Sequence, residues 1–533
     1  MLYFFILSLL LFPLIQSRKK LFKIEPLKGA IEEYIAAKPS LKNIKSGEFQ
    51  ENINEYINHT FGFRPLIVRW FNQLKFWLFH QSDAPGVVVG KYNYLFLTSY
   101  TNNYMGSNFI GNDKIDETVR KLKQIQDSLK AYNVDLLIVF APGKASFYSE
   151  FLPDYMNKQK SAVNNLSAYS QAFKKNNVNF IDLNSWFVSK KRKERYALYP
   201  ELGVHYTPHG TFLTMDTLVK YIEKMRGIDL PDVEKYAVYL KDSLREQEHD
   251  VEELMNLPIA LFHQPVPYFK ISTKKTEPQI KPDVLGIGDS YWWQLTGLEL
   301  PAHFFKRDSY WYYNNSIYNS NKKRESGFAG LNYGDELLAR DVVVIMASEA
   351  TYDLFPYGFI EKAYPVFCFN KNQKTEWLKK QAKADKQWAA NILQKAKENH
   401  ISTEEQTMND IEYVIDNDLM PFKRTQSFLD SAIGNYRNII AGNKAWMDDV
   451  RKKAAEKYIS VEEQIDLDAA FGYGMDYETE EAIQKMEDIK KEIRQSKERL
   501  NKIEKKAVEN HIRFNDAMAW EIKETFDKER NKK

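Results

Sequence analysis

Four short apolar runs, each ended by turn-forming residues, constrain the fold of this chain more than any other feature. They span residues 134–140, 178–183, 284–287 and 341–347. Amphipathic stretches of helical period, residues 113–132 and 162–175, lead into the first two runs. Apolar strands that alternate with helices are typical of right-handed βαβ units. We therefore predict an α/β domain over residues 86–369, with a parallel sheet flanked by helices.

An unbroken apolar run also opens the chain at residues 1–15, and three cations follow it at residues 18–20. A run of this length is short for a spanning helix and typical of an export signal. The cations favour a cytoplasmic side for the residues that follow, and a buried N-terminal helix is the alternative. We predict a signal or membrane anchor at residues 1–20 and an extracytoplasmic, periplasmic protein, either anchored in the inner membrane or secreted.

Residues 21–85 are predicted to be a helical N-terminal segment, because apolar side chains recur there at helical spacing. Its second stretch carries an aromatic stripe that we expect to pack against the next domain. The stripe comprises Ile67, Trp70, Phe71, Leu74, Trp77 and Leu78. Inside the α/β domain, the pattern predicts a β-hairpin at residues 86–97 and a helical insertion at about residues 227–281.

Beyond residue 369 the strands stop, and residues 370–533 are predicted to form an all-α repeat tail. The pattern from Trp388 to Gln406 recurs 58 residues later, from Trp446 to Gln464. A degenerate third copy begins at Lys506. In both clear copies a serine precedes a glutamate by three residues, which predicts a capping box at a helix start. A repeat of this kind indicates helical hairpins, whose lysines and carboxylates we expect to form solvated faces.

The composition excludes several classes of function. Lys and Arg number 75 against 72 Asp and Glu, so the chain has no general basic excess for binding nucleic acid. Its single cysteine, Cys368, excludes disulfide frameworks, zinc clusters built on cysteines and Cys-x-x-Cys redox chemistry. We therefore predict neither nucleic-acid binding nor a metal or other cofactor.

The third apolar run ends in Gly288-Asp289-Ser290. A serine just beyond a strand, with glycine allowing a sharp turn, is where α/β hydrolytic folds present a nucleophile. Such a serine needs a base within hydrogen-bond reach, usually a histidine. Of nine histidines, His205 and His209 lie together in a loop of turn formers that opens a helix. These two are the candidate bases.

Five sequence features occur together along the predicted α/β domain. They are Val87-Val-Val-Gly-Lys91 with Leu95-Phe96, Val139-Phe-Ala-Pro-Gly-Lys144, Ile181-Asp182, Gly203-Val-His205-Tyr-Thr-x-x-Gly210 and Gly288-Asp-Ser290-Tyr. As a set they resemble the SGNH-hydrolase-like domain of the alginate O-acetyltransferase family, the AlgX/AlgJ type. The histidine precedes the serine, which is also the order in that family. The resemblance covers roughly residues 45–365 and not the repeat tail.

The resemblance implies an SGNH-type O-acetyltransferase that acts on a polysaccharide outside the cytoplasm. At the matching positions, Ser290 would be the nucleophile that accepts the acetyl group, and His205 would be its general base. The backbone N–H groups of Ser290 and Tyr291 would form the oxyanion hole. A membrane-bound O-acyltransferase would supply the acetyl group, and a polysaccharide hydroxyl would receive it.

One position departs from the family pattern. Where the family has an aspartate two residues before the histidine, this chain has Gly203. Either another carboxylate orients His205 or the triad is incomplete. Glu201 and Asp182 are the nearest candidates by sequence and strand-end position, whereas Asp289 is expected to shape the turn. Loss of an orienting carboxylate lowers the rate of a serine protease about 10⁴-fold, so an unreplaced one would leave a weak enzyme.

The substrate side is predicted from aromatic and basic side chains. Trp292, Trp293 and Lys144 are the candidate substrate-binding residues, and core packing is the alternative for the aromatic side chains. Two other functions stay open. One is a non-catalytic glycan-binding or assembly protein that keeps the SGNH fold. The other is a serine carbohydrate esterase, in which water takes the acetyl group.

Overall fold

Eleven strands are found in the part of the chain that the computed structural model describes. That part comprises residues 2–29, 35–273, 281–306, 308–319, 324–327, 332–417, 436–457, 461–477 and 479–530. The strands are β1 (Val87–Val89), β2 (Leu95–Leu97), β3 (Asp135–Phe140), β4 (Phe180–Asp182), β5 (Val233–Lys241), β6 (Val266–Thr273), β7 (Val284–Gly288), β8 (Asp308–Tyr312), β9 (Ser316–Asn319), β10 (Arg324–Gly327) and β11 (Val342–Ala347).

Helices flank the strands and make up both ends of the chain. Up to the last strand they are α1 (Leu2–Lys19), α2 (Leu41–Ser46), α3 (Glu48–Thr60), α4 (Arg64–Phe79), α5 (Thr98–Met105), α6 (Asn112–Lys130), α7 (Lys144–Phe147), α8 (Asp154–Gln159), α9 (Asn165–Lys175), α10 (Leu183–Lys190), α11 (Pro208–Arg226), α12 (Asp250–Met255), α13 (Ser290–Gly297), α14 (Leu300–Phe304) and α15 (Tyr333–Leu338). After it come α16 (Phe359–Phe367), α17 (Lys371–Ala384), α18 (Lys386–Glu398), α19 (Thr403–Asn417), α20 (Lys444–Lys457), α21 (Val461–Tyr477), α22 (Glu480–Gln495), α23 (Lys497–Glu509) and α24 (Phe514–Arg530).

The central sheet has seven strands in the order β10-β9-β8-β7-β11-β3-β4. Strands β8, β7, β11, β3 and β4 are parallel, as the alternation of strands and helices predicts, whereas β9 and β10 add an antiparallel edge. The four predicted strands correspond to β3, β4, β7 and β11. The α/β fold with flanking helices and an all-α tail is therefore confirmed, with a mixed rather than wholly parallel sheet.

The middle of the sheet is buried on both faces. Every residue of β3, β7 and β11 is buried, which is why these runs are continuously apolar rather than alternating. Parallel neighbours place the carboxyl ends of β7, β11 and β3 side by side, at Gly288, Met346 and Phe140. Side chains that follow these strands therefore converge at one edge of the sheet.

The segment predicted as a helical insertion contains two long paired strands. Strands β5 and β6 pair antiparallel, from Val233 opposite Thr273 to Lys241 opposite Val266. Of the predicted helix only the short α12 is present, between the two strands; residues 274–280 of the predicted segment lie outside the described residues. Both strands are rich in β-branched and aromatic side chains, which favour pairing over helix formation. The predicted hairpin at residues 86–97 is found as β1 and β2.

The N-terminal segment contains the predicted helices but packs differently from the prediction. The aromatic stripe lies on α4, and each of its six side chains is between 45% and 71% exposed. The expectation that this stripe packs against the next domain is therefore wrong. In the described part of the chain no helix is long and apolar enough to cross a membrane.

The repeat tail consists of helical hairpins closed by a polar network. In the first copy, α18 and α19 meet where Trp388, Lys395 and Gln406 all bond to the Asp410 carboxylate. Asp410 is 8% exposed, so this carboxylate is buried rather than part of a solvated face.

The second copy repeats the network residue for residue. Trp446, Lys453 and Gln464 bond to Asp468, which is also buried. Of the two predicted serine caps, Ser402 accepts a hydrogen bond from the Glu405 N–H at 3.0 Å, and Ser460 lies outside the described residues. The repeated sequence therefore encodes a repeated hairpin.

The last three helices depart from this pattern, because they join the core of the α/β domain. Apolar side chains of α22, α23 and α24 belong to the same buried cluster as α6, α16 and the strands. Tyr132 donates a hydrogen bond to Asp516, which also pairs with Arg513. Helices α22, α23 and α24 are therefore packed against the α/β domain.

Candidate active site

Ser290 stands at the carboxyl end of β7, where the sequence predicts a nucleophile. It is the first residue of α13 and is half-buried, while Asp289 before it and Tyr291 after it are buried. Asp289 caps α13 by accepting the Tyr291 N–H at 3.0 Å. Its other carboxylate oxygen accepts the Ser348 N–H at 2.9 Å and the Thr351 hydroxyl at 2.7 Å. Asp289 thus shapes the turn and ties it to the end of β11, as expected from the sequence.

His205 lies within hydrogen-bond reach of Ser290 and of a third residue. Its Nε2 is 2.8 Å from Ser290 Oγ, and its Nδ1 is 2.7 Å from Asp250 Oδ2. A carboxylate only accepts, so the ring proton is on Nδ1 and Nε2 is free to accept the Ser290 hydroxyl proton. The three side chains form the serine, histidine and acid chain that activates a nucleophile. His209, the other candidate base, instead contacts Glu194 and Lys235.

The carboxylate that bonds His205 Nδ1 belongs to Asp250, and not to Glu201 or Asp182. Asp182 caps α10, accepting the Ser185 N–H at 2.8 Å. The Glu201 carboxylate accepts the Gln264 N–H at 3.2 Å. Both predictions of the orienting acid are wrong.

Gly203 explains why the acid comes from elsewhere. A Cβ at this position would stand 2.7 Å from the Gln247 carbonyl oxygen, so the backbone leading into α12 lies where an aspartate side chain would begin. The same approach brings Asp250 to the loop, where its Oδ1 accepts the Val204 N–H at 3.0 Å. The backbone that leaves no room for a side chain at position 203 is thus the one that carries Asp250 to His205. The sequence carries no local signal for this contact, since the two residues meet only through tertiary packing.

Two buried side chains hold the His205 loop against the sheet. The Lys144 ammonium donates to the Glu201 and Gly203 carbonyl oxygens, both at 2.7 Å. The Tyr291 hydroxyl donates to the Val204 carbonyl oxygen at 2.6 Å. Because Lys144 is fully buried, it is a structural clamp and not the substrate-binding residue predicted. Burial lowers its pKa to about 7.

Comparison with known proteins agrees with this geometry. Residues 87–286 match the family described as the SGNH hydrolase-like domain of the acetyltransferase AlgX. This chain carries an SGNH hydrolase-like domain of the AlgX type. The family prediction is confirmed, and the matched segment includes His205, Asp250 and Lys144.

Three solved structures are similar at low identity. The O-acetyltransferase domain of Pseudomonas putida AlgJ has a TM-score of 0.34 and 16% identity, over 52% of this chain and 99% of that one. Pseudomonas aeruginosa AlgX has a TM-score of 0.33 and 14% identity, over 52% of this chain and 66% of that one. Bacillus cereus PatB1 has a TM-score of 0.30 and 13% identity, over 45% of this chain and 91% of that one. No curated protein matches the chain.

Of the two backbone N–H groups predicted as oxyanion donors, one is already engaged. The Tyr291 N–H already donates to the Asp289 carboxylate, so it is engaged and does not point at an oxyanion. The Ser290 N–H begins α13, and the first N–H groups of a helix have no acceptor within the helix. Of the two predicted donors, Ser290 is the one whose position suits the role.

The aromatic residues beside the nucleophile divide into core and rim. Trp292 is 1% exposed and packs on Gly286, where even a Cβ would meet its ring at 2.2 Å. It is therefore a core residue, and its predicted substrate-binding role is wrong. Trp293 is half-buried in edge-to-face contact with Tyr310 and Tyr318, with ring centroids 4.8 and 4.7 Å apart. Its substrate-binding role stays a prediction.

A second acid lies at the same edge of the sheet but outside the serine site. Glu349, which follows β11, is 1% exposed. It accepts the Ala145 N–H at 3.0 Å and both the N–H and the hydroxyl of Ser146. Burial raises its pKa to about 7 in spite of these donors. Among the residues described, no cluster of His, Cys, Asp and Glu could hold a metal ion.

Proposed function

We propose that the protein is an extracytoplasmic O-acetyltransferase that moves an acetyl group through acetyl-Ser290 onto a polysaccharide hydroxyl. The observation that carries the proposal is the position of His205, whose two ring nitrogens contact Ser290 Oγ and Asp250 Oδ2 at 2.8 and 2.7 Å. The description of the matched family as an acetyltransferase points to acetyl as the transferred group.

The first half of the reaction loads the serine. Ser290 Oγ attacks the carbonyl carbon of the acetyl donor, while His205 Nε2 takes the hydroxyl proton. Asp250 stabilises the positive charge that forms on the imidazole ring. The Ser290 N–H stabilises the oxyanion of the tetrahedral intermediate. The bond to the donor oxygen then breaks, and His205 returns its proton to the leaving group.

The second half unloads the serine by the same chemistry in reverse. A sugar hydroxyl attacks the acetyl carbonyl carbon as His205 takes its proton, and the bond to Ser290 Oγ breaks. His205 then reprotonates the serine. Because water competes with the sugar for the acetyl-serine, the same site supports a carbohydrate esterase when no acceptor is bound.

The partners follow from the reaction and from the family resemblance. A membrane-bound O-acyltransferase would present the acetyl group, and the acceptor would be a polysaccharide. Residues 1–20 would direct the chain across the membrane as a signal or hold it there as an anchor. The non-catalytic alternative is weakened by the burial of Trp292, since a core side chain offers no face to a sugar ring.

Covalent labelling with an aryl acetate tests the proposal. After incubation of the full chain with the ester, peptide mass spectrometry is expected to find acetyl on Ser290, and Ser290→Ala is expected to carry none. Ser146→Ala is the matched control, because it removes a serine hydroxyl at the same sheet edge that bonds Glu349 and not a histidine. Absence of acetyl at every pH, or equal labelling of Ser290→Ala, would reject both enzyme functions.

An oligosaccharide acceptor then separates transferase from esterase. Acetyl-oligosaccharide among the products supports transfer. Free acetate alone, at saturating acceptor, identifies the protein as an esterase.

A further inference from the structure

Helix α4 is amphipathic, but its apolar side faces outward, whereas an ordinary surface helix turns its apolar side to the core. Its outward face consists of large apolar side chains three or four residues apart, each between 43% and 71% exposed. They are Leu66, Ile67, Trp70, Phe71, Leu74, Trp77 and Leu78. We call these seven residues the α4 face. Soluble proteins rarely expose a contiguous apolar surface of this kind unless it binds something.

The polar side chains of α4 point inward and hold the helix to the protein. Gln73 is 1% exposed, and its side-chain oxygen accepts the Ile259 N–H at 3.2 Å. Asn72 donates to the Met255 carbonyl oxygen at 2.8 Å. Arg69 donates to the carbonyl oxygens of Glu25 and Pro26 at 2.8 and 2.7 Å. Three polar residues, together with the buried Phe76, thus fix the orientation of α4, and its other large apolar side chains face outward.

A second apolar surface continues the α4 face. The end of α1 packs on the turn before α4, where the Gly62 N–H donates to the Pro13 carbonyl oxygen and the rings of Phe12 and Phe63 stack at 5.3 Å. Leu11, Leu14 and Ile15 of α1 are each more than 40% exposed. The two surfaces meet through this turn.

The cations that border this surface lie at the start of α4 and at the end of α1. Helix α4 begins with Arg64 and contains no acid, and of its other two cations Arg69 donates to backbone carbonyl oxygens and Lys75 pairs with Asp83. Arg18 and Lys19 end α1, and Lys20 follows them, all three exposed. Cations next to tryptophan, phenylalanine and leucine are typical of helices that lie at the surface of an anionic bilayer.

We propose that the α4 face inserts into the interfacial layer of a lipid bilayer containing anionic lipids, with α4 lying parallel to the membrane. This contact does not require a spanning helix. The C-terminal end of α12 is bonded to α4 through Met255, and its first residue is Asp250. Six helical residues span about 9 Å, so the contact would also set the height of the Ser290 site above the membrane.

Vesicle co-sedimentation of the full chain tests the contact. Vesicles of phosphatidylcholine with added phosphatidylglycerol are expected to bind the wild-type chain. Trp70→Gln/Leu74→Gln/Trp77→Gln is expected to lower the partition coefficient at least about tenfold, because three interfacial anchors are lost. The control, Leu393→Gln/Ile483→Gln/Val508→Gln, removes three equally exposed apolar side chains from the tail and is expected to bind like the wild type. All variants keep α1, so a difference between them belongs to α4.

Fluorescence quenching by brominated lipids locates the two tryptophans. Trp70→Phe/Trp77→Phe keeps the apolar face, so it is expected to bind vesicles normally but to lose most of the quenching seen in the wild-type chain. Failure of the wild type to bind, equal binding by the triple glutamine variant, or unchanged quenching in the phenylalanine variant would each overturn the proposal. A further outcome would also overturn it: a wild-type chain that dimerises but does not bind vesicles, together with a triple glutamine variant that is monomeric. The α4 face would then join two copies of this chain.

Discussion

Two buried aspartates show how differently the sheet domain and the repeat tail are held together. Asp289 joins the nucleophile turn to residues 59 and 62 positions away, Ser348 and Thr351. Asp468 in the tail gathers donors that are 4, 15 and 22 positions away, on the two helices of one hairpin. Each carboxylate is less than 10% exposed and accepts several hydrogen bonds. Asp289 joins segments that are distant in sequence, whereas Asp468 joins the two helices of a single hairpin.

The difference has a consequence for what a substitution can disturb. A hairpin whose polar network is local depends little on the rest of the chain, so damage should remain within it. The sheet edge assembles Ser290, His205 and Asp250 from three separate stretches, so damage there should reach the chemistry.

Removing the charge of the orienting acid should have the largest effect. Asp250→Asn keeps the shape of the side chain but cannot hold the proton on Nδ1 of His205. The rate of acetyl-Ser290 formation should fall by up to about 10⁴-fold, as in serine proteases that lose the equivalent acid, with little change in thermal stability. Stopped-flow measurement with an aryl acetate checks this. Asp410→Asn in the tail serves as control, and loss of labelling in that variant would contradict the division between the two regions.

The pH dependence of stability should have opposite signs in the two regions. Burial holds the pKa of Glu349 near 7, above the unfolded value of 4.5. A raised carboxyl pKa stabilises the fold below pH 4.5, and this contribution is lost as pH rises through about 7. The loss should amount to about 3 kcal/mol in the free energy of unfolding.

Asp468 should behave in the reverse sense. Burial raises its pKa, but hydrogen bonds from Trp446, Gln464 and Lys453 outweigh this and leave the pKa below the ordinary value of 3.8. Its stabilisation is present above pH 3.8 and is lost on acidification. Urea unfolding at several pH values, compared with Glu349→Gln and Asp468→Asn, checks both signs. If the free energy of unfolding of the wild type and of Glu349→Gln changed equally between pH 4.5 and 7, the predicted contribution of Glu349 would be ruled out.

Removing the buried ammonium should affect stability and chemistry together. Lys144→Met leaves the Glu201 and Gly203 carbonyl oxygens without their donor, which should cost about 2 kcal/mol. Because these carbonyl groups position the His205 loop, the rate of Ser290 acetylation should also fall, whereas the affinity for the ester should hardly change. Chemical unfolding and the separate values of kcat and KM check this. A rise in KM alone would instead support the substrate-binding role predicted from sequence.

The smallest effect is expected in the tail. Asp468→Ala leaves Trp446 and Gln464 without their shared acceptor and should destabilise that hairpin by about 1–2 kcal/mol. Hydrogen exchange should rise in α20 and α21 and stay unchanged in β7 and β11. Faster exchange at the sheet would mean that the tail and the sheet unfold as one unit.

Most of the fold could be predicted from local sequence patterns. The continuously apolar runs predicted β3, β7 and β11, since a strand buried on both faces needs apolar residues at nearly every position. The edge strand β4, which includes Asp182, followed from the alternation of strands and helices. The recurrence of Trp388 and Gln406 as Trp446 and Gln464 predicted the hairpins, because their contacts lie within about 22 residues. The pairing of Ser290 with His205 followed from motif order together with the family resemblance.

The failures lie where distant parts of the chain meet. The β5–β6 hairpin was predicted as helical because its partners are separated by the α12 segment, which carries a helical pattern of its own. Trp292 and Lys144 were predicted to bind substrate, since adjacency to a motif does not show which side of the chain faces the core. The α4 stripe was predicted to face inward, because helical period gives the width of an apolar face but not its direction.

The α/β domain, the repeat tail, and the serine and histidine of the candidate site could be predicted from the amino-acid sequence. Periodicity, turn residues and motif spacing act over a few residues, and they can be read without knowing the fold. The contact of Asp250 with His205, the burial of Lys144 beneath the His205 loop, and the outward direction of the apolar side of α4 became visible in the folded chain alone. Each of these depends on packing between segments tens of residues apart, where the space left by one backbone fixes which side chain another can place.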